Sequence, residues 1–196
     1  MNRLGMITVF TALHLIAGPG ATVALRAQNK LDLTNPGFEP PFVTVQPAPG
    51  SKGRVSGRIA RGWKDNSEWA DVEVRYAPSE QQPHGGQTCQ LIEVVAFASG
   101  AVQLVQNLDV KAGSRYRAGV WMRGEGSVFL MVRQGPKPYT VYARREIKLN
   151  DDWQEVSVQW TAPENERPLL MILPKQPGRY YMDDATLVEA PSDEAE

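Results

Sequence analysis

A carboxylate inside an apolar strand is the residue that most needs a chemical explanation. Asp183 lies in Arg179-Tyr180-Tyr181-Met182-Asp183-Asp184-Ala185-Thr186-Leu187-Val188, after a Pro177-Gly178 turn signal. Strand residues alternate between faces, which predicts that Tyr181, Asp183, Ala185 and Leu187 share one otherwise apolar side. A charge there is costly unless it is paired or bound to a metal. The candidate partner is Glu39, in Asn35-Pro36-Gly37-Phe38-Glu39 near the other end of the chain. If the first and last strands lie side by side the two acids meet, and a cation must relieve their repulsion. Ca²⁺ favours carboxylate and carbonyl oxygens, so Glu39 and Asp183 are the candidate metal ligands.

Catalytic chemistry finds little support. His84 is the one histidine beyond residue 27, and it sits in a Pro/Gly loop. Cys89 is the single cysteine, which excludes an internal disulfide, and beside a strand it reads as a small buried residue. The chain has no Ser-nucleophile motif, no zinc spacing and no phosphate-binding loop.

Residues 1–27 read as a signal peptide: Arg3, an apolar run from Leu4 to Ala17, a Gly18-Pro19-Gly20 break, and small residues at Thr22, Ala24 and Ala27. That run is short for a membrane span. The expected destination is therefore the periplasm or the exterior, with no membrane insertion once the signal is removed; an uncleaved anchor is the alternative. Loss of Arg3 and Arg26 leaves 19 basic against 22 acidic residues, a charge of −3. That balance argues against nucleic acid as a partner. Without a disulfide, stability must come from a core or a metal.

These residues are positioned by strands. Val72, Val74 and Tyr76 alternate with Asp71, Glu73 and Arg75, and further strands are expected at 90–95, 102–110, 139–149, 156–160 and 169–173. In 115–123, Tyr116, Ala118, Val120 and Met122 oppose Arg117, Trp121 and Arg123; in 127–133, Val128, Leu130 and Val132 oppose Phe129, Met131 and Arg133. Residues 40–57, rich in Pro, Gly and Ser, read as a long surface loop, and 190–196 as an acidic disordered tail. No helical period is sustained. The expected fold is all-β, a two-sheet antiparallel β-sandwich or jelly roll, over residues 31–189.

The order of motifs carries a resemblance. Asn35-Pro36-Gly37-Phe38-Glu39 is followed by Gly62-Trp63, Gly86-Gln87, Gln106, Ala112-Gly113-Ser114-Arg115-Tyr116, Trp121, Asp152-Trp153 and Tyr181-Met182-Asp183-Asp184. Together they resemble carbohydrate-binding modules of the galactose-binding-like jelly-roll superfamily. The resemblance implies a structural calcium that ties the first strand to the last through Glu39 and Asp183. Carbonyls near Gly37 and Gln87 would complete its shell. It also implies a sugar site on the concave sheet face or in the loops at one end.

Sugars present apolar C–H faces ringed by hydroxyls, which suit flat aromatics beside polar forks. The expected site is one sheet face carrying Arg117, Trp121, Arg123, Phe129, Met131 and Arg133, with Trp69, Tyr139 and Tyr142 at its rim. Arginine forks favour an acidic polysaccharide or oligosaccharide over a neutral one. The opposing reading packs these aromatics under loops and pairs the arginines with local acids. Two other functions fit the same residues: an adhesion module that uses the face for protein contact, and a jelly-roll lyase with Tyr139 or Tyr142 as base.

Overall fold

The computed structural model describes residues 31, 33–164 and 167–190. The expected signal peptide and, Ala190 apart, the acidic tail lie outside these residues. Among these described residues twelve strands form two sheets. The larger has the order β1 (Phe42–Thr44), β2 (Arg54–Ala60), β4 (Asp71–Ser79), β5 (Cys89–Ser99), β12 (Gly178–Glu189), β7 (Arg115–Gly124) and β10 (Gln154–Thr161). The smaller has the order β3 (Lys64–Asp65), β6 (Leu104–Asn107), β11 (Pro168–Pro174), β8 (Gly126–Gln134) and β9 (Val141–Leu149). All pairings are antiparallel except β2 with β4. This is the expected β-sandwich jelly roll, and among the described residues there is no helix.

The inner faces fill the core as alternation requires. Val72, Val74 and Tyr76 from β4, Val128, Leu130 and Val132 from β8, and Tyr116, Ala118, Val120 and Met122 from β7 belong to one buried core. Phe38 is fully buried and stacks on Trp63 at 4.8 Å. The leading segment runs beside β12: Leu31 N–H donates to Leu187 O at 2.9 Å and Ala185 N–H to Pro36 O at 2.8 Å. The first and last segments are therefore neighbours, as expected.

Two expectations are corrected. Residues 40–57 are not all loop, since β1 and most of β2 lie there. Composition hid β2 because Gly57, with φ +96°, marks a close approach and not a break. A Cβ there would collide with the Tyr76 backbone of the parallel neighbour. In β12 the face assignment fails at a bulge between Asp183 and Thr186, where Asp184 adopts φ +43°. One extra residue flips the phase. Tyr180 and Met182 thus share the core with Ala185 and Leu187, while Tyr181 and Asp183 point to the sheet's outer side.

Candidate functional site

The Asn35 turn, at φ +49°, brackets Glu39. Its Nδ2 donates to Glu39 O at 2.6 Å, and Glu39 N–H donates to its Oδ1 at 3.0 Å. The Glu39 carboxylate then meets the β4–β5 loop. Oε1 accepts the N–H groups of Gln87 (2.6 Å) and Thr88 (3.1 Å), and the Thr88 hydroxyl is shared between Oε2 (3.0 Å) and Phe38 O (2.9 Å). Burial opposes ionisation, but these donors prevail and hold the Glu39 carboxyl below its usual range.

Asp183, fully buried, reaches the same loop. Its Oδ2 accepts N–H from His84 (2.9 Å) and Gly85 (3.1 Å), and its Oδ1 from Asp184 (2.8 Å). Burial pushes this carboxyl up; the Gly85, Asp184 and His84 N–H groups hold against the rise and the Asp184 charge adds to it. The two acids are joined through residues 84–88.

The donor set bears on the calcium that the resemblance implies. Asp183 accepts three N–H groups, and Glu39 accepts two N–H groups and the Thr88 hydroxyl. Among the described residues no group of three or more His, Cys, Asp or Glu is arranged to hold a metal ion. Both carboxylates are thus engaged by hydrogen bonds from the chain itself.

The six residues expected on one face lie on two. The turn at Gly124–Gly126 carries the chain from one sheet to the other, so β7 pairs with β12 and β10 while β8 pairs with β11 and β9. Arg117, Trp121 and Arg123 are on the outer side of the seven-stranded sheet, where the β4–β5 loop folds over Trp121 and Arg123. Arg117 pairs with Glu155 at 2.7 Å. Trp121 stacks on His84 at 4.1 Å with planes 18° apart, and Trp153 meets the same ring edge-on. Arg123 lies over Tyr181 (4.0 Å) and Trp153 (5.2 Å) and donates to Gln81 O at 2.6 Å. Trp153 Nε1 donates to Gln82 O, and His84 Nδ1 faces Asp184 Oδ2 at 2.6 Å. The Trp121 side of the expected site is a packed loop anchor.

Phe129, Met131 and Arg133 lie on the outer side of the five-stranded sheet, as neighbours of a second apolar layer formed by Val105, Met131, Met171 and Leu173. Sheet register builds its rows: Lys64–Val105–Met171–Met131–Arg144, Leu173–Phe129–Glu146, and Asn107–Leu169–Arg133–Val141. Tyr139, 44% exposed, carries Arg133 over its ring at 4.5 Å. Arg144 and Lys175 both approach the Phe129 ring, at 4.9 and 4.6 Å. Trp69, 55% exposed, is pinned by its Nε1 donating to Asn66 O at 3.0 Å. Its ring lies against Gly100, one residue from Ala101, which packs on this apolar layer. Tyr142 departs from expectation: a register shift after Val132 turns it toward the main core. Arg144, Lys175 and the β11 residues were missed. The one sequence signal for them was the alternation Arg144-Glu146-Lys148, which does not reveal its partner strand.

No protein-family profile and no curated protein matches this sequence. Solved structures do share the fold. A structure described as "CBM4 structure and function" has a TM-score of 0.61 and 16% identity over 81% of this chain and 100% of its own. A cyclase from Fischerella sp. TAU, in complex with 4-(1H-indol-3-yl)butan-2-one, has a TM-score of 0.59 and 16% identity over 84% of this chain and 98% of its own. A xylan-binding domain from CBM22 has a TM-score of 0.50 and 14% identity over 81% of this chain and 98% of its own. These likenesses establish the jelly-roll fold, which sugar-binding domains and a cyclase share.

Proposed function

We propose that this protein is an exported, non-catalytic carbohydrate-binding module that holds a polysaccharide on the outer face of its five-stranded sheet. The observation that carries the reading is the second apolar layer. The inner side of this sheet already supplies the core, yet its outer side has another stratum of Met, Leu, Val and Phe side chains. Exposed aromatic platforms, Trp69 and Tyr139, stand at its margins. Val105, Met131, Met171 and Leu173 are themselves buried, so contact falls to the flat rings above and beside them, which suit the C–H faces of a sugar chain, while the cations over Tyr139 and Phe129 suit its oxygens. The carbohydrate-binding modules among the fold's relatives support the same ligand class.

The lyase reading has one observation in its favour, the contact of Arg133 with Tyr139. The guanidinium lies over the ring, where it packs as a cation–π pair. Affinity electrophoresis against a polysaccharide panel tests binding, and ultraviolet absorbance of unsaturated uronides tests cleavage. A Trp69→Ala/Tyr139→Ala double variant should lose retardation while melting like wild type, and no absorbance should develop. Undiminished retardation of the double variant would refute this face as the site; absorbance that develops would make the protein an enzyme.

A further inference from the structure

The five-stranded face carries charge that the rest of the molecule does not explain. Its strand register places Arg133, Arg144 and Lys64 on the outer side, and Lys148 follows Arg144 by two alternations. Lys175 continues β11 on the same side, its N–H donating to Ser127 O at 3.0 Å. Opposing them on these strands is Glu146. The whole chain, by contrast, has a formal charge of −1.

On the other sheet, Arg54, Arg75, Arg117 and Arg179 pair with carboxylates, and Arg123 is held over rings beneath the β4–β5 loop, where it donates to Gln81 O. Arg133, Arg144 and Lys175 instead rest on the rings of Tyr139 and Phe129. Two like charges approaching one ring repel each other, and an anion between them relieves that repulsion. Ring contact fixes the side-chain stems and leaves N–H groups available to oxygen acceptors.

We infer that this face is selective for acidic glycans, with Arg144 and Lys175, bracketing Phe129, as the determinants that receive a carboxylate or sulfate. The inference rests on the sugar-binding reading and adds the ligand's charge. Arg133 on Tyr139 supplies a further anion contact along the chain. Arginine forks match both anions bidentately, and lysine adds a point charge.

The test is affinity electrophoresis in gels containing polygalacturonate, chondroitin sulfate or an unsubstituted neutral β-glucan, with double-stranded DNA as a polyanion control. At least one acidic polysaccharide should bind about tenfold more tightly than the glucan, and Arg144→Gln/Lys175→Gln should remove about that factor. Raising the salt should mimic the double variant. Arg54→Gln, on the other sheet, should change nothing. The carboxylate and sulfate gels separate the two sources of the anion. Equal retardation in acidic and neutral gels overturns the inference and leaves sugar binding intact. Equal loss in Arg54→Gln, or equal retardation by DNA, assigns the effect to bulk charge and overturns it. Retardation in none of the polysaccharide gels removes the sugar reading and this inference together.

Discussion

Replacing Glu39 with alanine should show whether the ends of the sandwich are clasped by hydrogen bonds or by an ion. The substitution removes acceptors from Gln87 N–H, Thr88 N–H and the Thr88 hydroxyl. Their fates differ. Gln87 is exposed and can turn to water, and the hydroxyl keeps Phe38 O, but Thr88 is buried and its N–H is stranded. A stranded donor costs about 1–3 kcal/mol, and exchanging a charge-assisted bond for water adds a fraction of that. The total, about 2–3 kcal/mol, corresponds to a melting temperature lower by roughly 4–12 °C for a domain of this size. Gly86→Ala attacks the same contact from the other side, because a Cβ there collides with Glu39 Oε1 at a backbone φ of +60°. The two changes should therefore be markedly less than additive. Melting followed by circular dichroism, in calcium and in chelator, is the assay. Wild type should melt identically in both, and the variant should fall equally in both. A wild-type rise in calcium that Glu39→Ala or Asp183→Ala abolishes would refute the hydrogen-bonded clasp and restore the ion that the resemblance implies.

Three other outcomes follow. Because the Glu39 carboxyl is held below its unfolded value of about 4.3, its contribution is complete above that pH and lost as pH falls through the lowered value. Glu39→Gln should flatten that acid limb in a stability-versus-pH titration, whereas Asp183, raised by burial, acts with the opposite sign. Trp121→Ala should cost about 2–3 kcal/mol by unseating His84 and the β4–β5 loop, yet leave polysaccharide retardation unchanged; a loss of binding without a loss of stability would return the site to the seven-stranded face. Gly57→Ala should give little folded protein on expression, since the parallel strand cannot retreat from the Tyr76 backbone; a soluble variant with a wild-type melt would contradict that packing.

Alternation made most of the fold legible. Val72, Val74 and Tyr76, or Val128, Leu130 and Val132, could be assigned to the core because period two has one consistent phase within a strand. It failed where the phase slips. The Asp183–Thr186 bulge reversed the readings of Tyr181 and Asp183, the shift after Val132 reversed that of Tyr142, and neither has a local composition signal. The site was half legible for another reason. In β7 and β8 the outward residues were identified correctly, but which strands are neighbours depends on connections, and the turn at Gly124–Gly126 carries the chain to the other sheet. Phe129, Met131, Arg133 and Tyr139 therefore stand together, and Arg117, Trp121 and Arg123 stand with a loop that no pattern placed above them.

The neighbouring of the leading segment and β12 has a mechanical consequence. Leu31 bonds Leu187, and Pro36 bonds Ala185, so the two segments run in opposite directions and their outer ends lie together. Tension applied between residue 31 and residue 190 peels these bonds one after another instead of loading them at once. The first to yield is the Leu31–Leu187 bond, then the two Thr34–Gln106 bonds and the Ala185–Pro36 bond; the Glu39 contacts with the β4–β5 loop follow and are stronger. A module anchored at both ends to a stretched polymer would thus give way by a short, early extension, then resist at Glu39.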